Sequence, residues 1–429
     1  MRNDQRCREL VLLRHKFRLL AGHVWIAARL TTFGWIAISI IGGMAMAEDR
    51  TSSPTDAIIR LFAETPIRAE WFTNEFVAAA PPSRIQSIIE GLVSDFGMLV
   101  DVQLDGRVGT IRLEDAIVPV EISLDGTGRI GGLLFQPPQP TGTDAISISE
   151  AILDAVTGNV AVMAAEQGSD GLWQLRVAHN ADEPMAVGSA FKLAVLQAYE
   201  DAIASGALNR ADVVSLRAED RSLPSGVLQV MQPGVPITLE TLAGLMIQQS
   251  DNTATDALIR ILGRANIEAM SPRNQPFLTT GEFFRLIASD GDAARSRFMS
   301  GNADERRDVL ADIAKTTLPR AERILPRATW AEAEWYFTAA ELCELLSSLR
   351  NAPALSGLPD PLVAIDGWDN VGFKGGSEFG VLNLSAIGTT PCGKQVCAII
   401  SANANEALPE ERIALLFGAF FSSLAHPSR

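Results

Sequence analysis

Lysine is nearly absent from this chain. Five occur in 429 residues, at positions 16, 192, 315, 374 and 394, among 36 basic residues in all. Where arginine is so strongly preferred, a retained lysine calls for a task that arginine cannot do, and releasing a proton at ordinary pH is one such task. Histidine is as rare, with four residues at 15, 23, 179 and 426. Neither His179 nor His426 has a partner at ligand spacing, so no metal site and no cofactor is expected. A Ser-His-Asp hydrolase is disfavoured too: His179 lies just before Ser189, no Gly-x-Ser-x-Gly surrounds that serine, and His426 is almost terminal. Positive charge is in deficit, with a net charge of −15, which excludes nucleic acid and anionic lipid as natural partners. Internal repeats and low-complexity tracts are missing, so a solenoid is excluded.

What is present is apolar and folded. A hydrophobic fraction of 47% over 429 residues supports two or three domains with a large core. The first 47 residues read as an address label: seven basic residues precede the uncharged run LTTFGWIAISIIGGMAMA, which ends in Ala45-Met46-Ala47 before Glu48. Export to a secreted or periplasmic location is expected, with no stable membrane partner after cleavage; a run of about 17 apolar residues would also just suffice as an uncleaved anchor. Cys7 leaves with the leader, and Cys343, Cys392 and Cys397 remain, an odd number for an oxidising compartment. Cys392 and Cys397 flank a short turn and are placed for a hairpin disulfide; Cys343, inside the helical pattern AAELCELLSSL, reads as a buried thiol.

Residues 53–137 form a small α+β unit. Ser83 is positioned to cap a helix with Ile85, Ile88, Ile89, Leu92 and Phe96 at helical spacing, and strands are expected at 98–104, 108–113, 117–124 and 130–135. Residues 138–145, rich in Pro, Gly and Thr, read as a linker. From 146 to 425 the order is a helix, two strands (159–167 and 172–179), a long helical middle, three strands between about 371 and 402, and a closing helix over 409–425. Strands at both ends with helices between imply one sheet assembled from the two termini, with a helical subdomain inserted. Gly126, Gly128 and Gly131 satisfy a dinucleotide-binding pattern, yet no helix follows them, so a hairpin turn is expected there.

Three clusters carry chemistry. In MAVGSAFKLAVL, Ser189 and Lys192 share a helix face, and the apolar neighbours together with the positive end of the helix dipole favour a neutral lysine able to serve as a base. Ser250, Asp251 and Asn252 form a polar corner between two apolar helical runs. Lys374 is followed by Gly375, Gly376 and Ser377 at the end of a strand, where glycines let a ligand approach the backbone.

In this order, S-x-x-K, S-D-N and K-G-G resemble the serine β-lactamase and penicillin-binding protein superfamily, over roughly residues 146–425. The resemblance implies a β-lactamase-like fold and assigns roles: Ser189 as acylated nucleophile, Lys192 as its activator, Ser250 as proton relay to the leaving group, Asn252 as substrate-holding amide, and Lys374 as the positive charge for a substrate carboxylate. It implies an oxyanion hole from the Ser189 and Ser377 N–H groups beside Gly376, and a structural role for Asp251. A small α+β unit ahead of such a domain is similar to the two-domain β-lactamase-like proteins of the clavulanic acid pathway, whose first domain resembles the NTF2 or steroid-isomerase cone and which are associated with ester cleavage.

Two departures stand out. The third motif lacks the hydroxyl of Lys-Thr-Gly, with Ser377 two positions further on. The E-x-x-L-N segment of class A enzymes has only the partial counterpart Glu322-Arg323-Ile324-Leu325-Pro326, and Glu332 and Glu334 are no better matched. The expected function is an exported serine hydrolase acting on a small molecule, a β-lactam or related ester. The alternatives are a D-Ala-D-Ala peptidase and a non-catalytic protein that binds cell-wall fragments.

Overall fold

The computed structural model describes residues 53–141, 144–168, 170–356, 368–391 and 393–425. The expected leader, Cys392 and His426 lie outside the described residues. Among the described residues two compact units are formed, one from residues 53–155 with 409–425, the other from residues 156–356 and 368–408. No helix among the described residues is long and apolar enough to cross a membrane.

The first unit opens with α1 (Pro54–Ala63), α2 (Asn74–Ala79) and α3 (Pro82–Phe96). Ser53 starts α1 by accepting from the Asp56 N–H while the Asp56 carboxylate bonds back to Ser53. The α3 stripe Ile85, Ile89, Leu92 and Phe96 is buried as its spacing requires, but the cap position is Pro81 and Ser83 lies inside the helix. A proline just inside a helix start has no N–H to leave unpaired, so α3 needs no hydroxyl cap. Strands β1 (Leu99–Asp105), β2 (Val108–Leu113), β3 (Ala116–Leu124) and β4 (Ile130–Phe135) form an antiparallel meander, and β5 (Gln139–Pro140) pairs with β3. Along β3, Ala116, Val118, Val120 and Ile122 point into the core at period two. The glycines of the dinucleotide-like pattern sit in the β3–β4 turn and the start of β4, a turn closed by Asp125 accepting from the Thr127 and Arg129 N–H groups. Helix α4 (Ala145–Asp154) and the closing helix Glu410–Leu424 also belong to this unit, although the sequence groups them with the second domain. Arg412 of the closing helix makes a two-point pair with the buried Asp95 of α3.

The second unit is built on the sheet expected from the two ends of the segment. Its order is β12 (Asn370–Glu378), β13 (Val381–Thr389), β14 (Gln395–Asn403), β6 (Asn159–Gln167) and β7 (Trp173–His179), antiparallel throughout. β14 lies between β13 and β6, with Ile400 opposite Val162. Burial on both faces explains why β13 and β14 read as nearly unbroken apolar runs.

Between the two halves of the sheet come the two-residue strand β8 (Met185–Ala186), a 3₁₀ turn over Gly188–Phe191, α5 (Lys192–Ala204), the β9 (Val213–Ser215) and β10 (Pro236–Thr238) pair, α6 (Leu239–Gln248) and α7 (Asn252–Leu262). Further helices follow, α8 (Arg264–Met270), α9 (Thr280–Ile287), α10 (Asp292–Ser300) and α11 (Ala303–Ile313), before β11 (Tyr336–Phe337) and α12 (Ala339–Leu349). α12 lies on β13 and β14 and also packs on α5. The Phe191 ring, at the head of α5, stacks on Trp335 with centroids 3.8 Å apart.

The cysteine reading is corrected. Cys343 of α12 is joined to Cys397 of β14, so Cys397 is not in a hairpin disulfide with Cys392 and Cys343 is not a thiol. Both cysteines are buried. The physical reason is tertiary: packing α12 on the sheet brings their Cα atoms to 5.9 Å, within disulfide range, across a separation of 54 residues that no local pattern signals.

Candidate active site

Ser189 sits in the 3₁₀ turn and Lys192 is the first residue of α5. The lysine is fully buried, with 0% exposure. Its Nζ is surrounded by four oxygens: Ser189 Oγ at 3.2 Å, Ser250 Oγ at 3.0 Å, Ser250 O at 2.6 Å and Asn252 Oδ1 at 2.7 Å. A neutral amine there can donate to the Ser250 carbonyl and the Asn252 amide oxygen while its lone pair accepts from a serine hydroxyl. Burial first, and the Lys374 charge second, push the Lys192 amine well below the usual lysine range, against the opposing pull of Asp251, Asp256 and Glu378.

Ser250 owes its place to backbone strain. It occupies the left-handed region at φ +52°, uncommon for a residue with a side chain, at the corner between α6 and α7. The corner is held from several sides. Ser225 Oγ donates to the Ser250 carbonyl at 2.6 Å, and the Asp251 N–H donates to Leu245 O. Asp251 spends both carboxylate oxygens on backbone, capping α7 through the Ala254 N–H and gripping the Val227 and Leu228 N–H groups. Asn252 turns its oxygen to Lys192 and donates from Nδ2 to Leu223 O. One turn along α7, the buried Asp256 accepts from the Thr280 and Gly281 N–H groups, and its carboxyl is pushed up to about 7, chiefly by burial.

Lys374 enters from β12, the edge strand that packs against the 3₁₀ turn carrying Ser189. It is buried, and its Nζ donates to Ser250 Oγ at 3.2 Å and to Gly375 O. Gly376 is required sterically: a Cβ there would lie 2.3 Å from Val187 O and 2.4 Å from the Ser189 N. Across the same contact a Cβ on Gly188, whose φ is +49°, would lie 3.0 Å from the Ser377 N. The backbone of β12 and the Ser189 turn therefore touch directly, and an edge strand leaves N–H groups available on that side. Ser189, Lys192, Ser250, Asn252, Lys374, Gly376 and Ser377, far apart in sequence, are thus brought into one cluster.

Three carboxylates considered from the sequence separate clearly. Glu322 is exposed on the short turn Ala321–Arg323 and makes no hydrogen bond to the cluster among the described residues. Glu332 is engaged by Arg295 at 2.6 Å. Glu334 is buried, and its Oε2 accepts from the Gly188 N–H at 2.8 Å, next to Ser189. Sequence reasoning ranked it with the others. The signal available was an acidic residue set in the otherwise apolar run AEWYFTA. No group of three or more metal-ligating side chains suited to an ion occurs among the described residues.

Residues 147–356 match the model of the β-lactamase enzyme family. Over that segment the chain is similar to the β-lactamase enzyme family. Solved structures similar to this chain include a β-lactamase from Sphaerobacter thermophilus, 23% identical, with 66% of this chain and 97% of that one covered and a TM-score of 0.45. PBP-A is 16% identical, with coverage of 67% and 98% and a TM-score of 0.43. A β-lactamase from Xanthomonas campestris is 17% identical, with coverage of 65% and 95% and a TM-score of 0.42. No curated protein matches the chain.

Proposed function

We propose that the protein is an exported serine hydrolase that forms an acyl-enzyme at Ser189 and opens a β-lactam or a related ester. The observation that carries this reading is the fully buried Lys192 amine within hydrogen-bond reach of both Ser189 and Ser250. Ser189 Oγ attacks the substrate carbonyl carbon as its proton passes to Lys192 Nζ. The carbon–nitrogen or carbon–oxygen bond then breaks, and the leaving atom takes the Ser250 proton, which Lys192 replaces; Lys374 stabilises negative charge at that oxygen. N–H groups of Ser189 and Ser377 hold the carbonyl oxygen as it becomes an oxyanion. Water discharges the acyl group and restores Ser189.

The missing Lys-Thr-Gly hydroxyl favours substrates that depend less on a carboxylate anchor, simple esters among them. Export is supported by the basic and apolar leader and by the Cys343–Cys397 bridge, a bond that persists in oxidising compartments. The partner is a small molecule. A second reading, a D-Ala-D-Ala peptidase with a long-lived acyl-enzyme, is favoured by one observation, the exposed position of Glu322 away from the cluster.

Intact-mass measurement of the mature protein with a panel of penicillins, nitrocefin and nitrophenyl esters tests both readings. A transient adduct with product release supports the hydrolase, and a persistent adduct with cleavage of D-Ala-D-Ala peptides supports the peptidase. Binding with no adduct, or full hydrolysis by Ser189→Ala, sinks both.

A further inference from the structure

Ser189 is aimed by a turn that cannot aim itself. Gly188 precedes it at φ +49°, and a glycine there has no side chain to restrict rotation of the peptide on either side. The preceding residues are held one by one. Met185 and Ala186 pair with Phe337 and Tyr336, the Val187 N–H donates to Trp335 O at 3.1 Å, and the Ala186 N–H donates to Asn403 Oδ1 at 2.9 Å. The next N–H, that of Gly188, has a side-chain acceptor instead, Glu334 Oε2 at 2.8 Å. Trp335, beside Glu334 in sequence, anchors the strap by stacking on Phe191 and donating its indole N–H to Leu278 O.

A carboxyl is an expensive choice for an acceptor that any carbonyl could replace. Glu334 is only 7% exposed, and its other oxygen, Oε1, is buried with no hydrogen-bond partner among the described residues. Its position beside Ser189 points to a role there. Without it the buried Gly188 N–H would be unsatisfied, and rotating the soft Val187–Gly188 peptide would relieve that at the expense of Ser189.

Building on the acyl-enzyme reading above, we propose that Glu334 is a positioning residue: it locks the Gly188 peptide, keeping Ser189 Oγ in reach of Lys192 Nζ and the Ser189 N–H against β12. Burial, with the Glu378 charge second, pushes its carboxyl well above the usual range, so it acts as a neutral acid whose carbonyl oxygen accepts from Gly188. Glutamine reproduces that arrangement, whereas leucine removes it and aspartate withdraws it by one methylene.

The test is stopped-flow acylation of the full-length protein and its Glu334→Gln, Glu334→Asp and Glu334→Leu variants by a fluorescent penicillin and a nitrophenyl ester, with melting temperature recorded for each. The expected result is near wild-type acylation for Gln. For Asp and Leu a loss of about 10²-fold in the acylation rate is expected, with the half-saturating substrate concentration little changed. Should Leu fail to fold, Gln and Asp carry the comparison, since both keep a polar group at the site. Wild-type acylation rates in Asp, or in a folded Leu variant, overturn the proposal. So does a Gln variant that acylates normally and then retains the adduct, which makes Glu334 a proton-transfer group instead. A wild-type protein that forms no adduct overturns the acyl-enzyme reading and this inference together.

Discussion

The amines of Lys192 and Lys374 converge on one atom, Ser250 Oγ, at 3.0 and 3.2 Å. Two buried cations sharing an oxygen would repel strongly, and the shift of Lys192 toward the neutral form relieves the conflict. Ser250 thereby lies between the two lysine amines, the placement that the proposed proton relay requires.

Lys192 is expected to set the acid limb of the pH profile. Acylation needs the unprotonated amine, so the rate rises with pH through the amine's pKa and levels off above it. Because that pKa is lowered, the rise should fall well below the ~10.4 of a free lysine. Lys192→Arg, which keeps charge but cannot act as a base, should slow acylation about 10²- to 10⁴-fold. Single-turnover rates across pH check both; an Arg variant with native rates would remove Lys192 from the mechanism.

Ser250 couples strain to chemistry. Ser250→Gly relieves the left-handed backbone and should be more stable than Ser250→Ala by about 1 kcal/mol. Both lose the relay and should show similarly slow acylation. Denaturant midpoints and acylation rates measured side by side separate the two contributions.

Gly376→Ala places a methyl against the backbone of Val187 and Ser189, which has no flexible tip to move aside. A stability loss of about 1–3 kcal/mol is expected, together with near-complete loss of acylation. A stable variant that acylates normally would contradict the contact.

Removing the Cys343–Cys397 bridge by Cys343→Ala should cost about 2–4 kcal/mol, as expected for closing a loop of this size. Peptide mapping without reduction should recover residues 343 and 397 in one linked fragment. Finding 392 linked to 397 would reverse the assignment.

Asp256 predicts a slope of stability with pH. Its carboxyl, raised to about 7 when folded, binds a proton more tightly than in the unfolded chain. The stabilising contribution is present below about pH 4 and is lost as pH rises through about 7. Thermal midpoints at pH 5 and pH 8 should differ less in Asp256→Asn than in wild type.

The sheet was legible because period and length agree. The strands expected at 108–113, 130–135 and 159–167 match the observed bounds, and the pairing of sheet halves from the two ends followed from element order alone. Ser189, Lys192, Ser250 and Lys374 stood out because lysine is scarce and three short motifs recur in a known order. Glu334 and Cys343–Cys397 did not, and for the same reason. Each depends on where β11 or α12 is laid against a distant segment, and nothing in their local sequence encodes that placement. The fourth oxygen around Lys192, the Ser250 carbonyl, was equally invisible, since backbone strain at a serine leaves no mark in composition.

One consequence concerns the order of synthesis. Among the described residues β14 follows every other strand, yet it lies between β13 and β6, and its final residue, Asn403, grips Ala186 just ahead of the turn that carries Ser189. A nascent chain that has already produced Ser189, Lys192 and Ser250 therefore still lacks the support that shapes them. On the proposed acyl-enzyme reading, reactivity would be withheld until residue 403 has emerged and joined the sheet, and a truncated chain ending before it should be inert toward acylating substrates.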